Sequence, residues 1–172
     1  KLRRASAAEG EERQQLLDGA ERAFLAIGHE GTGMPSYHLG LGQVYYRLGK
    51  EEEGEQQFQT LLSGHPPQVH IAVASAYREL GLLANAREVA QKVYDTGESP
   101  PKQSAASMMA GMATERDDTR MWLQRGDTDA PGVRLRLLEL DGQEQLEQGH
   151  YDVADKKFAE VAAGWLEQEG DD

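Results

Sequence analysis

Apolar residues recur at intervals of three and four through most of the chain, the period of a helix with one buried face. Leu16, Leu17, Ala20, Phe24 and Ile27 share such a face. The stretch from 102 to 114 is rich in alanine and methionine (Ala105, Ala106, Met108, Met109, Met112), and Met121, Trp122 and Leu123 follow on the next segment. A last helix is expected at about 151–166, carrying Val153, Ala154, Phe158, Val161, Trp165 and Leu166. No segment alternates β-branched and polar residues with period two, so no sheet is expected. Gly49, Gly81 and Gly149 follow Leu48, Leu80 and Gln148, where a helix C-cap calls for positive φ. Pro66-Pro67 and Pro100-Pro101 stop one helix and suit the first turn of the next. The pattern predicts an all-α chain of short helices separated by glycine and proline.

The punctuation repeats. Leu41-Gly42-x-x-Tyr45 leads to Gly49, Gly54-x-x-x-Phe58 and Pro66, and Val73-Ala74-x-x-Tyr77 leads to Gly81, Ala86-x-x-x-Ala90 and Pro100. Gly142, Gly149 and Ala154-x-x-x-Phe158 form a third pass. Tyr45 to Tyr77 and Gly49 to Gly81 are both 32 residues, and Gly81 to Gly149 is 68, twice 34. A further unit is therefore expected between them, with helices near 101–114 and 117–126. Stepping back 34 from Gly54 and Phe58 reaches Ala20 and Phe24. The strings resemble the tetratricopeptide repeat, whose 34-residue pattern runs L-G-x-x-Y, A-x-x-x-F, P, with Gly54 standing where alanine is usual. The resemblance implies a right-handed superhelical solenoid of stacked antiparallel helix pairs, a single domain over 1–172. Its units are 1–34, 35–66, 67–100, 101–134 and 135–168, the first and fourth degenerate, with an acidic tail at 167–172. Gly42 and Ala74 suit a close approach of paired helices, and Tyr45 and Tyr77 suit a ring that fills the gap while its hydroxyl reaches solvent.

Composition narrows the function. In 172 residues, 30 acids against 18 bases leave a net charge of −12, which repels phosphate backbones and anionic lipid. The absence of cysteine removes thiol catalysis, disulfides and cysteine-ligated zinc. No apolar run approaches the ~20 residues of a membrane span, and the basic start (Lys1, Leu2, Arg3, Arg4) has no apolar core of a secretory signal behind it. A cytoplasmic location is expected, and Lys1 in place of methionine suggests an excised or processed chain. Few Asn, Ile and Lys beside abundant Ala, Gly, Glu and Arg resemble a GC-rich bacterial product.

Catalytic signals are sparse. His29, His38, His65, His70 and His150 form no His-x-x-x-His pair and read as solvated. Glu147 and His150 have Glu-x-x-His spacing, but Gly149 between them should end the helix. The Gly126–Gly132 stretch reads as a polar turn, since Pro131 stands where a calcium loop needs an oxygen ligand. Gly28–Gly33 lacks the Lys-Ser/Thr of a phosphate loop and reads as a flexible connector. Glu51–Glu53 and Asp117-Asp118 suit helix N-termini. No enzyme, cofactor or metal site is expected.

In the repeat family that the chain resembles, the first helix of each unit lines a concave face where partner peptides dock. Register then nominates Leu39, Gln43, Tyr46 and Arg47 from the second unit and Ile71, Ser75, Arg78 and Glu79 from the third. The fourth offers Met109 and Met112, and the fifth Gln143 and Leu146, with core packing the competing role for the methionines. A carboxylate clamp of Lys and Asn is missing, because Asn85 is the chain's one asparagine and Leu39 and Gln43 occupy the clamp positions. Residues 139–172 hold eleven acids and two bases, −9 of the −12. That charge describes either an acidic end of the groove or a solvated tail. Phe158, Trp165 and Leu166 offer an apolar face for self-association. The expectation is a non-catalytic scaffold or adaptor that binds a protein or peptide partner, with a regulatory or sensory domain of a larger protein as the alternative.

Overall fold

A computed structural model describes residues 10–170, and every regular element among them is helical. In chain order these are α1 (Gly10–Ala26), the single turn α2 (Gly28–Gly31), α3 (Pro35–Arg47), α4 (Glu51–Gly64), α5 (Pro67–Glu79), α6 (Leu83–Thr96), α7 (Pro101–Met112), α8 (Arg116–Arg125), α9 (Pro131–Glu147) and α10 (Tyr151–Gly170). The first half of the expected 1–34 unit lies largely outside the described residues. None of these helices is long and apolar enough to cross a membrane.

Helix boundaries follow the punctuation. Pro35, Pro67, Pro101 and Pro131 each open a helix, where a fixed φ helps and the missing N–H has no intrahelical partner to lose. Gly49, Gly81 and Gly149 have φ of +74°, +80° and +80°. Behind them Lys50, Leu82 and His150 donate backbone N–H to the carbonyls of Tyr45, Tyr77 and Gln145, each at 2.9 Å. All three turns thus carry the same six-to-one closure of a left-handed helix cap.

Contacts divide the chain into two compact units, Lys1–Val93 and Tyr94–Asp172. In the first, α3 packs on α4, on α1 and on α5. A Cβ on Gly42 would lie 2.5 Å from the Phe58 ring, one on Gly40 2.5 Å from Phe24, and one on Gly54 2.6 Å from Tyr46. Absent side chains therefore set how closely these helices approach. Phe58, fully buried, stacks on Tyr46 at 5.5 Å and meets the edge of Tyr77 at 4.9 Å. Three expectations change here. Tyr77 is 1% exposed and turns its hydroxyl onto Glu55 rather than solvent. Gly28–Gly31 is a helical turn, with Gly31 buried where a Cβ would meet Tyr37 at 2.5 Å, so it is not a loose connector. Ile27 sits past the end of α1 and is exposed, leaving Leu17 and Ala20 as the buried residues of that face.

In the second unit α7 packs on α8, α8 on α9, and α9 on α10. Ala106, Ala110, Trp122, Leu123 and Leu140 form its core, with Tyr94 edge-on to Trp122 at 5.2 Å. Phe158 fills the space over Gly142, and Leu135 the space over Gly164. The degenerate 101–134 segment is thus a real helix pair, held by an Ala- and Met-rich face around Trp122.

Candidate partner-binding face

Residues nominated for partner binding recur at the same intervals on two neighbouring helices. Leu39, Gln43, Tyr46 and Arg47 lie along α3, and Ile71, Ser75, Arg78 and Glu79 along α5. Positions i, i+4, i+7 and i+8 share one helical face. The faces adjoin: Gln43 Nε2 donates to Glu79 Oε2 at 3.2 Å. Leu39, Ile71 and Ser75 are half-buried, Arg47 is half-buried, and Arg78 is exposed. Neither arginine forms an ion pair within 4.0 Å among the described residues. The face therefore carries Leu39 and Ile71 in the first half of each helix and Arg47, Arg78 and Glu79 at the ends, with the Gln43–Glu79 contact bridging the two helices.

Tyr46, half-buried, is also engaged inside the fold. Its hydroxyl donates to Glu55 Oε2 at 2.6 Å, while its ring lies over Phe58 and Gly54. Tyr77 donates to the same oxygen at 2.7 Å, and Gln59 Nε2 to Oε1 at 2.6 Å. Burial pushes the Glu55 carboxyl up, but the three donors outweigh it and hold the group below the usual glutamate range. Burial and the neighbouring carboxylate push both phenols well above the tyrosine range. Tyr46 thus serves as an internal tie across α3, α4 and α5. Glu55 was not singled out in the sequence, where it reads as one more acid at the start of a helix.

His38 departs from the solvated role. It is buried, its Nε2 donating to the Thr32 carbonyl at 2.9 Å and its Nδ1 meeting the Gln57 side-chain amide at 2.8 Å. His70 is half-buried, and burial together with nearby Lys92 holds its imidazole below the ordinary range.

The nominated residues of the second unit behave differently. Met112 is 5% exposed, and Met109 packs against the Trp122 core. Met112 is thus taken up in packing, while Met109 is half-buried and packs against that core with part of its surface exposed. Gln143 is half-buried, with its amide 3.5 Å from Glu139, and Leu146 is exposed. Phe158 is taken up inside the α9–α10 pair, whereas Trp165 and Leu166 remain 42% and 70% exposed. The acids of α9 are largely neutralised by arginines of α8. Arg120 binds Asp141 and Glu144, Arg116 binds Glu147, and within α9 Arg136 binds Glu139. The Arg120 guanidinium holds the Asp141 carboxyl below its usual range, against the opposing effect of burial. The −9 read from the sequence is therefore not a bare acidic surface.

Asp127 accepts from the Asp129 N–H at 3.1 Å, making the 126–132 connection an Asx turn. No cluster of three or more His, Asp or Glu side chains able to hold a metal occurs among the described residues. No protein-family profile, curated protein or solved structure matches this chain.

Proposed function

We propose that the chain is a non-catalytic protein-interaction module of tetratricopeptide-like helix pairs, and that a partner segment lies across α3 and α5. The observation that carries this reading is the Gln43–Glu79 hydrogen bond, which joins two first-helix faces into one surface. That surface pairs half-buried Leu39 and Ile71 with Arg47 and Arg78, whose charges have no carboxylate within ion-pair distance among the described residues. Arginine is among the residues enriched at interface hot spots. The three identical glycine caps and the proline-started helices support the repeat reading. The test is the double substitution Arg47→Glu and Arg78→Glu. Neither side chain forms an ion pair among the described residues, so the fold is retained while partner affinity falls at least ~30-fold, the size expected for two hot-spot arginines. Unchanged affinity rules the placement out.

A second reading, self-association through α10, is favoured by exposed Trp165 and Leu166. Light scattering at rising concentration separates it: Trp165→Ala with Leu166→Ser lowers the mass of an oligomer, and a strict monomer in the unsubstituted chain excludes it.

A further inference from the structure

An open groove of about 370 Å³ lies on the surface of the second unit, where α7, α8, α9 and α10 converge. Three helices each give it a pair of residues one turn apart: Ser107 and Gly111, Thr119 and Leu123, Gly132 and Arg136. Most of these side chains are short or absent, which is why the space exists. The half-exposed indole of Trp165 closes the fourth side, 3.8 Å from where a Cβ on Gly132 would sit. The Thr119 hydroxyl is already committed to the Glu115 carbonyl at 3.0 Å. The Ser107 hydroxyl has no partner among the described residues, and no acidic side chain lines the groove. Arg136 is its one charged lining residue, and its pair with Glu139 is an exposed contact three residues away on the same helix, the kind that contributes little.

We propose that this groove binds a small aromatic monocarboxylate, with its ring against Trp165 and its carboxylate at Arg136 and Ser107. The volume lies near the lower end of ligand sites and suits a single ring rather than a nucleotide or lipid. An indole wall facing glycine and alanine suits a flat apolar group. A guanidinium and an unpartnered hydroxyl lining one groove whose lining holds no acidic side chain favour an anion with planar oxygens. The site stands on the second unit alone and does not depend on the α3–α5 face.

Calorimetry and intrinsic fluorescence on the full chain test it with phenylacetate, phenylacetamide and phenethylamine as probes. Phenylacetate binds saturably and changes the emission of half-exposed Trp165, since Trp122 is buried. Phenylacetamide binds about 10-fold more weakly, and phenethylamine more weakly still. Arg136→Gln removes the preference for acid over amide. Gly111→Leu places a side chain in the groove at an exposed helical position, so binding is lost while helicity and the urea midpoint are kept. Absence of saturable binding up to about 10 mM, a range reached by ligands of this size, overturns the proposal. So does equal affinity for acid and amide, or binding unaffected by Gly111→Leu.

Discussion

The Glu55 carboxylate accepts three side-chain hydrogen bonds, and its removal has a calculable cost. Glu55→Ala leaves the Tyr77 hydroxyl, on a residue 1% exposed, with only the neighbouring Tyr46 hydroxyl as an acceptor. An orphaned buried donor costs about 1–3 kcal/mol. The Tyr46 hydroxyl loses the same oxygen but is only half-buried, so water recovers part of its loss. The expected destabilisation is about 2 kcal/mol, which at a urea slope of roughly 2 kcal/mol/M lowers the midpoint by about 1 M. Glu55→Gln keeps an acceptor without the charge and loses about half as much. Unfolding is best followed in the near-ultraviolet at tyrosine wavelengths, because Trp122 and Trp165 both belong to the second unit. A double-mutant cycle with Tyr77→Phe isolates the contact, with an expected coupling of about 1 kcal/mol. Because the folded carboxyl titrates below its unfolded value, its stabilisation is full above the unfolded pKa of about 4.3 and is lost as pH falls through the folded one. The gap between the unsubstituted chain and Glu55→Ala must therefore close in acid. A loss under ~0.5 kcal/mol at pH 7, or strict additivity with Tyr77→Phe, refutes the hub.

Other outcomes follow from the same geometry. Gly42→Ala drives a methyl to 2.5 Å from fully buried Phe58 and costs about 1–3 kcal/mol, whereas Gly142→Ala meets half-buried Phe158 at 2.8 Å and costs less; thermal denaturation of both variants gives the order. Arg120→Ala breaks two ion pairs whose partners are 40% and 48% exposed, so the loss stays near 1 kcal/mol or below and shrinks in 1 M salt, as urea titrations at two salt concentrations measure. Asp141, held low chiefly by Arg120, adds stability that is present above the unfolded aspartate value near pH 4 and lost below it, and Arg120→Ala flattens that part of the stability–pH curve. His70 titrates low in the folded chain, so stability drops as pH falls below about 6.5, where the unfolded imidazole takes up its proton first; His70→Gln removes that slope.

Features governed by a single residue's backbone were legible in the sequence. Gly49, Gly81 and Gly149 announce helix ends because positive φ excludes most side chains, and the prolines mark helix starts because the ring fixes φ. A close approach at Gly42 was legible as well, from its smallness at a repeated position, but not that Phe58 is the side chain filling the space. Matters that depend on which turns of two helices meet were not. Periodicity puts Tyr46 on the right face of α3 but does not say that Glu55 and Tyr77 meet its hydroxyl. It places Met112 on a helix without saying that Trp122 and Leu140 form a core beneath that helix. Counting acids gives charge by position, whereas their partners on α8 are set by packing. His38 reads as solvated because nothing local reveals that Thr32 and Gln57 close over it.

The most direct test of the docking face is site-specific photocrosslinking, with a benzophenone amino acid placed at Ser75, one turn before Arg78 on α5, or at exposed Gln56 on α4 as control. The Ser75 probe should yield a discrete adduct with a partner protein, absent from the Gln56 probe and lost on adding Arg47→Glu and Arg78→Glu. Equal adducts from both positions, or a Ser75 adduct that survives the double substitution, would contradict a partner site across α3 and α5.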